Sequence, residues 1–451
     1  MKPDQVNITD EATRKIADAI DSHELITFTR ELVKINTVWD PDAGTCEKPA
    51  VLHIADWAER QGFQVELNTV APGRLNAIVT WPEEIRKSEF GNRNSEIPIP
   101  HSEFPKRVLM FEGHTDVVTP GNINTWNYEP FGAKIVDDRI YGRGTNDTKG
   151  NLAAMLVAMA ALKKSGINLN GSIIGGVLCD EEGDMTGVQD FIRRGHADTV
   201  TGAVICEPQD GMLCFTQKGA LRVKLTIQGK MSHGAMPLAG LNTAPAIAHL
   251  IDGFHQLECD AIEKFGKDKH LGWPSFTPTV ILAPFEGEAQ LNVMPGEARL
   301  LVDIRTVPGQ SHDDIRKDIV LLTKTVTEKI REHYRSHDAR LNLKRDTRLN
   351  IKTDFITDRP CTFTDINDPI VKAADWATRR ITGQVPVYAG VPGATDGTYL
   401  WASKNIPIIT MGAGDREVPH QADEWVNIDQ LIETAHIYAL TALHYLSGEP
   451  A

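Results

Sequence analysis

The chain has 451 residues, of which 41% are hydrophobic and 24% are charged, and its formal net charge is −14. This length predicts two domains, and the acidic balance disfavours nucleic acid and anionic membrane surfaces as partners, because both require a basic face. The N-terminal segment lacks the basic-then-apolar pattern of a signal peptide, no apolar run is long enough to span a membrane, and the six cysteines show no framework spacing. We therefore expect a soluble cytoplasmic protein.

The first half of the chain alternates helical and extended patterns. Apolar residues recur at helical spacing in three clear segments and form short continuous runs in three others. The predicted helices are residues 11–35, as one helix or two, residues 50–61 and residues 151–164; the predicted strands are residues 108–111, 172–179 and 203–206. This alternation predicts an α/β fold with a mainly parallel sheet flanked by helices. Residues 81–107 are polar, aperiodic and punctuated by proline, which indicates a surface excursion between two strands.

The pattern changes at residue 219, where strictly alternating strands and two long helices begin. Their order is β-α-β-β-α-β, which is typical of a small α+β domain. The α/β pattern resumes after about residue 354. We therefore predict a catalytic domain in two parts, residues 1–218 and 356–451, and an inserted domain at residues 219–355. A free edge of the inserted sheet would be available to pair with a second subunit.

His114 and Asp147, which both precede the helix at 151–164, are candidate metal ligands. His114 and Asp116 follow a strand and stand two positions apart, so their side chains project to the same side, and a carboxylate is the usual partner of a zinc-binding imidazole. A single pair of this kind is also common at exposed strand ends. Asp147 lies in the glycine-rich block 142–150, where a carboxylate can bridge two cations, although the same pattern fits a helix cap or an anion-binding loop.

Further candidates follow later strands. Glu181 and Glu182 come directly after the strand at 172–179, and Glu207 comes after the strand at 203–206. His420 lies in a loop after a strand at 407–411. Ligand sites in α/β sheets gather at such strand ends. The alternatives are a solvated acidic loop for the two glutamates and an ordinary exposed histidine for His420.

Taken together, these residues predict a dinuclear metal site. Two Zn²⁺ ions bring four positive charges, which Asp147, Glu182, Glu207 and a bridging hydroxide would offset. Histidine and carboxylate ligands suit zinc, with cobalt or manganese as substitutes. Paired ions of this type hydrolyse amides or phosphates.

Four blocks carry a resemblance to a known family. GHTDVV at 113–118, GRGTNDTKG at 142–150, DEEG at 180–183 and VPH at 418–420, in this order, resemble the co-catalytic zinc aminoacylases, deacetylases and carboxypeptidases. Members include acetylornithine deacetylase, succinyl-diaminopimelate desuccinylase, aminoacylase and carboxypeptidase G. The resemblance covers nearly the whole chain, the inserted domain included, and implies a zinc-exopeptidase-like fold.

The resemblance implies a role for each residue of the predicted site. His114 and Glu207 would hold one zinc ion, Glu182 and His420 would hold the other, Asp147 would bridge both, Asp116 would orient His114, and Glu181 would be the general base. Such a site carries two Zn²⁺ per subunit.

Residues outside these blocks gain roles by the same resemblance. His233, in the segment 230–234, would contact the substrate carbonyl or oxyanion across a dimer interface; the alternative is an ordinary loop histidine. Asn292 and Arg305 would bind substrate; the alternatives for Arg305 are a pair with Asp303 or a place on a solvated sheet face. Gly393 and Thr395, in the loop 393–397, would line the pocket, although Thr395 could instead cap a helix. The substrate-binding candidates that the resemblance implies are therefore Arg305, Asn292, Gly393 and Thr395.

The implied reaction is metal-assisted hydrolysis of an N-acyl amino acid or a similar amide. Glu181 would take a proton from the metal-bound water and return it to the leaving nitrogen, His233 would stabilise the oxyanion, and the inserted domain would close as a lid. Deacylases of the family tend to carry glutamate at the position of Glu207 and peptidases tend to carry aspartate, which favours a deacylase over a metallo-exopeptidase. A non-catalytic binding relative would lack a ligand or the base, and none is missing. We predict a homodimer, formed through the lid domain, that acts on a small N-acyl amino acid or dipeptide-like substrate.

Overall fold

The computed structural model describes residues 10–82, 107–343 and 348–447. The excursion predicted for residues 81–107 lies almost entirely outside the described residues. Contacts divide the chain into two compact units. The main unit comprises residues 1–216, 363–390 and 395–451, and the inserted unit comprises residues 217–362 and 391–394. The lid and dimerisation roles expected of the inserted unit stay predictions.

The helices and strands are numbered here in chain order. The helices are α1 (Asp10–Ala19), α2 (Ser22–Lys34), α3 (Lys48–Arg60), α4 (Lys149–Lys164), α5 (Thr186–Arg193), α6 (Ala244–Phe265), α7 (His312–Leu341), α8 (Pro369–Thr382), α9 (Gly397–Lys404) and α10 (Ile428–Ser447). The strands are β1 (Gln64–Ala71), β2 (Arg74–Trp81), β3 (Arg107–His114), β4 (Lys134–Val136), β5 (Arg139–Tyr141), β6 (Gly171–Leu178), β7 (Gly202–Ile205), β8 (Leu213–Gln217), β9 (Gly219–Gln228), β10 (Ser232–His233), β11 (Ser275–Leu282), β12 (Val293–Met294), β13 (Glu297–Thr306), β14 (Asn350–Arg359), β15 (Thr362–Phe363), β16 (Tyr388–Val391), β17 (Ile408–Thr410) and β18 (Trp425–Asn427).

The central sheet of the main unit runs in the order β1-β2-β6-β3-β7-β17-β8-β15, and β16 pairs with β8. Its middle strands β6, β3, β7 and β17 are parallel, and antiparallel pairs flank them on both sides. The parallel register sets His114 beside Leu178 and Glu112 beside Ile205. The carboxyl ends of β3, β6 and β7 therefore meet at one edge of the sheet. The predicted mainly parallel sheet flanked by helices is confirmed.

Helix α4 forms the centre of the main core. Its sequence is rich in alanine, methionine and leucine on every face, and all its residues from Lys149 to Leu162 are buried. A helix that is apolar all round has to be covered on all sides, here by the sheet and by other helices. Each fully buried leucine of this helix, such as Leu152 or Leu156, contributes about 1.5–3 kcal/mol to stability. This core fixes the loop that precedes the helix.

The inserted unit has a four-stranded antiparallel sheet in the order β11-β13-β9-β14. Along β9, buried residues alternate with partly exposed ones, as in Leu221-Arg222-Val223-Lys224. The buried set packs with α6 and α7 into a separate core that includes Leu250. One sheet face is therefore covered by helices, while the other, which we call the open face, carries polar and charged side chains. A two-stranded ribbon of β10 and β12 lies apart from this sheet.

The predicted strand at 108–111 is longer than expected, because β3 continues to His114, so that residue ends the strand rather than following it. Within the three described ranges, no helix is both long and apolar enough to cross a lipid bilayer.

Candidate metal centre

Three strand ends and two loops bring the predicted ligands together in the main unit. His114 is the last residue of β3, Glu182 lies in the turn after β6, and Glu207 lies two residues after β7. Asp147 precedes α4, and His420 lies in the loop between β17 and β18. We call these five residues the metal edge.

The ligand atoms form two groups of three that share Asp147. His114 Nε2 lies 3.1 Å from Asp147 Oδ1 and 3.4 Å from Glu207 Oε1. His420 Nε2 lies 3.4 Å from Asp147 Oδ2 and 2.9 Å from Glu182 Oε1. Within each group the ligand atoms lie within 4.8 Å of one another. Asp147 therefore presents one carboxylate oxygen to each group, which is the arrangement of a bridging ligand.

The electrostatics of the metal edge are dominated by crowded acids. Burial raises the pKa of Glu207 to about 7, and the charge of Asp147 adds to the rise. Burial and the charge of Asp147 also raise the pKa of Glu182. Burial opposes ionisation of Asp147 itself, but hydrogen bonds from His114 and His420 lower its pKa. Close carboxylates of this kind repel one another unless cations compensate their charge.

The donor set fits a pair of divalent metal ions. It consists of imidazole nitrogens and carboxylate oxygens, which suit zinc, manganese or cobalt. Three protein ligands per ion is the number found in catalytic zinc sites, which keep a further position open for water or substrate. Two ions would also supply the positive charge that the three carboxylates require.

Asp116 supports the metal edge in two ways. Its backbone carbonyl lies 3.0 Å from His114 Nδ1, closer than its carboxylate Oδ1 at 3.5 Å. The carboxylate accepts the backbone N–H groups of Glu181 at 3.1 Å and Glu182 at 3.0 Å. A metal-bound histidine is usually oriented by an acceptor at its second ring nitrogen, which for His114 is the Asp116 carbonyl at Nδ1. Asp116 thus holds His114 and also fixes the turn that carries Glu181 and Glu182.

Glu181, the predicted base, lies beside the metal edge. Burial raises the pKa of Glu181 well above its ordinary value, and the charges of Glu207 and Glu182 add to the rise against the opposing effect of His114. A carboxyl group whose pKa is raised is suited to accept and return a proton near neutral pH.

Comparison with known proteins identifies the family. Residues 110–444, which include every residue of the metal edge, match peptidase family M20/M25/M40. The chain belongs to this family.

Individual relatives agree with the assignment to M20/M25/M40. A probable succinyl-diaminopimelate desuccinylase from Staphylococcus aureus is 27% identical over 358 residues, which cover 75% of this chain and 83% of the relative. The crystal structure of an M20 family metallo-carboxypeptidase from Sulfolobus solfataricus is 18% identical with a TM-score of 0.70 and covers 94% of this chain and 99% of that one. A dinuclear metal-binding peptidase of family M20 from Bacillus subtilis is 16% identical with a TM-score of 0.61, with coverages of 94% and 98%. At these identities the solved structures establish a shared fold.

Membership of M20/M25/M40 makes the protein a metal-dependent hydrolase, because its homologues are metallohydrolases that act on amides and peptides. The resemblance to the co-catalytic metalloenzymes is thereby confirmed. The identity of the metal and the role of each residue stay predictions.

The inserted unit holds four of the other predicted site residues, namely His233, Asn292, Arg305 and Gly393. His233 and Asn292 lie together, because β10 pairs with β12 and the Gly234 N–H donates to the Asn292 carbonyl at 2.7 Å. Arg305 lies on the open face and pairs with Asp303, with Nε 2.6 Å from Oδ1. The ion pair left open as an alternative for Arg305 is therefore present.

The loop at 393–397 is divided between the two units. Gly393 groups with the inserted unit, and Thr395 groups with the main unit. Thr395 Oγ1 accepts the N–H of Gly397 at 3.3 Å, and Asp396 occupies the N-cap position of α9. Thr395 therefore accepts a backbone N–H at the start of α9, which is part of the helix-capping role given above as its alternative.

Two buried acidic residues near the metal edge escaped the sequence reasoning. Glu424 is fully buried and pairs with Arg143, which is itself only 2% exposed. Glu112 lies two residues before His114, and burial, together with the charge of Asp396, raises the pKa of Glu112 well above its ordinary value. For Glu112, the signal was a carboxylate inside an apolar strand. Glu424 carries a weaker signal, the position four residues after His420.

Proposed function

We propose that the protein hydrolyses the amide bond of an N-acyl amino acid, or of a related small carboxylated amine, at a pair of zinc ions. The observation that carries this proposal is the position of Asp147, which offers one oxygen to each of two three-residue groups while Glu181 lies beside them. The relative described as a desuccinylase and the glutamate at position 207 support deacylation.

The two ions would be held by the metal edge, with His114 and Glu207 on one side, Glu182 and His420 on the other, and Asp147 between them. Divalent ions bound there would polarise the scissile carbonyl and acidify the attacking water.

Glu181 would act as the proton carrier. Its carboxylate removes a proton from the attacking water as the oxygen–carbon bond forms, and it delivers that proton to the leaving nitrogen as the carbon–nitrogen bond breaks. The hydrogen bond from its own backbone N–H to Asp116 fixes the turn from which it reaches the substrate. The products are the free acid of the acyl group and the free amine.

His233 would donate a hydrogen bond to the developing oxyanion. Its Nδ1 accepts the Ala235 N–H at 3.0 Å, so the neutral imidazole carries its proton on Nε2, the nitrogen that faces away from this turn. The side chain is exposed on a short ribbon and is therefore accessible to a ligand. This arrangement supports a donor role, which in related reactions stabilises the tetrahedral state.

Arg305 would bind the substrate carboxylate. Asp303 accepts from Arg305 and also from Arg222, whose Nε lies 3.0 Å from Oδ2. One carboxylate is therefore shared by two guanidinium groups, which leaves a net positive charge on this part of the open face. A guanidinium binds a carboxylate through two parallel hydrogen bonds.

A homodimer formed through the inserted unit is also proposed. Strand β11 lies at the edge of its sheet, and its last residues Ile281 and Leu282 are 53% and 40% exposed. An exposed apolar edge strand is suited to pairing with a second copy. Light scattering on the wild type and on Ile281→Lys tests this, and a monomeric wild type refutes it.

The deciding experiment is a substrate panel of N-acetyl, N-formyl, N-succinyl and N-carbamoyl amino acids together with dipeptides. We expect an acyl amino acid to be the fastest substrate of the zinc-loaded enzyme. Glu181→Gln is the matched variant, and it should keep its zinc while losing hydrolysis of every substrate. Dipeptides as the fastest substrates would identify an exopeptidase, and unchanged hydrolysis in Glu181→Gln would refute its role as the base.

A further inference from the structure

Glu424 is placed to control the geometry of the metal edge without belonging to it. It lies four residues after His420 and is fully buried. Its Oε1 accepts three backbone N–H groups, from Gly144 at 3.0 Å, Asn146 at 2.9 Å and Asp147 at 3.1 Å. Its other oxygen, Oε2, pairs with Arg143.

These three donors belong to the loop that carries the shared ligand. Residues 142–148 form neither a helix nor a strand, so their buried N–H groups need acceptors from elsewhere in the chain. Gly144 has a φ of 88°, a left-handed conformation that is far easier for glycine than for other residues. Convergence of three amides on one carboxylate oxygen fixes the path of the loop. The direction of the Asp147 side chain follows from that path.

The charge of Glu424 is balanced locally. Arg143 donates to Oε2, lies over the Trp126 ring with its Cζ 5.3 Å from the centroid, and donates to the Thr119 carbonyl at 3.4 Å. Burial raises the pKa of Glu424, and the charge of Arg143 opposes that rise. An ionised carboxylate is a strong acceptor for backbone amides.

Further hydrogen bonds tie the same two segments together. Asn146 Nδ2 donates to the Asp415 carbonyl at 3.0 Å. The Asn151 side chain accepts from the Ala413 N–H at 2.7 Å and donates to the Ala413 carbonyl at 2.9 Å. The segment that carries His420 therefore also holds the loop that carries Asp147, so the positions of these two ligands are set relative to each other.

We propose that Glu424 is a positioning residue that sets Asp147 in its bridging orientation and thereby determines the affinity of the metal edge for its ions. This inference rests on the proposed two-zinc site. A purely structural role for Glu424 predicts something different, because loss of a buried ion pair would lower stability and leave the zinc affinity of the folded protein unchanged.

Two double variants separate these roles. Arg143→Met with Glu424→Gln removes both charges but keeps an acceptor oxygen for the three amides. Arg143→Met with Glu424→Met removes the same charges and the acceptor as well, at similar side-chain volume. Zinc binding is measured by equilibrium dialysis against buffered zinc, and stability is measured as the unfolding temperature of the metal-free proteins.

We expect the methionine pair to bind zinc about 10- to 100-fold more weakly than the glutamine pair, the usual cost of losing a group that orients a metal ligand. Equal zinc affinity of the two folded variants would overturn the proposal. If the methionine pair does not fold, Glu424→Asp replaces it, because the shorter carboxylate keeps the charge opposite Arg143 but withdraws the acceptor from the amides. The same loss of zinc affinity is then expected, and wild-type affinity overturns the proposal.

The wild type distinguishes this inference from the proposed function. Wild-type protein that binds no zinc would refute the two-zinc site itself. Wild-type protein that binds two ions, with both double variants binding equally well, would refute only the role of Glu424.

Discussion

The metal edge of the main unit and the open face of the inserted unit differ in how the charges of their acidic side chains are compensated. At the metal edge, Asp147, Glu182 and Glu207 are crowded at least partly out of water, and their mutual repulsion is compensated only in part by the two histidines. On the open face, acids already have basic partners across or along the strands, as Asp303 has in Arg222 and Arg305. The acids of the first region require cations to compensate their charge, whereas those of the second already have basic partners. Substitutions should therefore affect metal content in one region and leave it unchanged in the other.

The largest effect is expected from His114→Ala. One three-residue group loses its only imidazole, so the protein should retain at most one zinc ion. Activity should fall by more than about 100-fold, because loss of a residue that merely orients a ligand already lowers metal affinity or activity about 10- to 100-fold. Metal analysis by emission spectroscopy and a hydrolysis assay check this. The control is His255→Ala, an exposed histidine on α6, which should keep both ions. Two ions retained in His114→Ala would remove that residue from the site.

The next effect concerns the exposed ribbon of the inserted unit. His233→Ala should lower kcat by about 100-fold or more, the cost of losing one oxyanion donor, while zinc content and unfolding temperature stay at wild-type values. The neighbouring exposed residue Met236 provides the control, and Met236→Ala should leave kcat unchanged. A variant of His233 that loses zinc would contradict the separation of the metal edge from the inserted unit.

A smaller effect, on stability, is expected at the N-terminus of α3, where Glu47 is the N-cap residue. Glu47 is fully buried 3.5 Å from Arg74 Nε, and burial raises the pKa of Glu47 to about 7. Because the folded pKa lies above the unfolded one, the contribution of Glu47 to stability is fully present below about pH 4.5 and is lost as the pH rises through about 7.

Glu47→Gln removes this dependence. We expect no change in the free energy of unfolding at pH 4.5 and a gain of roughly 1–3 kcal/mol at pH 8. Urea unfolding at the two pH values measures both. A gain that is equal at pH 4.5 and pH 8 would show that Glu47 does not titrate in this range.

The smallest effect is expected on the open face. In Arg222→Gln, Asp303 keeps Arg305 as its partner, so the free energy of unfolding should change by less than about 1 kcal/mol, as for most exposed ion pairs. Zinc content should not change. Loss of zinc in Arg222→Gln would break the distinction between the two regions.

Sequence patterns predicted the fold and the members of the metal edge because both depend on local features. Periodicity located the strands, and His114, Glu182 and Glu207 stand directly at or after strand ends, where parallel topology brings them together. Asp147 was marked by its flanking glycines. The local sequence was sufficient wherever a residue's position followed from the strand before it.

The supporting contacts could not be predicted in this way. Nothing near Glu424 indicates that three amides from residues 144–147 converge on it, because the partners meet only in the folded sheet. Asp116 was predicted to serve His114, but its carboxylate also accepts two amides from the turn after β6. The periodicity of a sequence does not encode hydrogen bonds between distant loops.

The position of β17 in the central sheet has a consequence for how the chain is made. This strand lies between β7 and β8, yet the ribosome synthesises both neighbours, and then the whole inserted unit, before it reaches Ile408. We expect the nascent chain to carry an unpaired edge on β7 throughout that interval, available to chaperones and proteases. His420 emerges later still, so the metal edge is completed only after its other four residues and the inserted unit have been made. Stalled chains ending before residue 408 should therefore be cut readily near β7, whereas completed chains should resist.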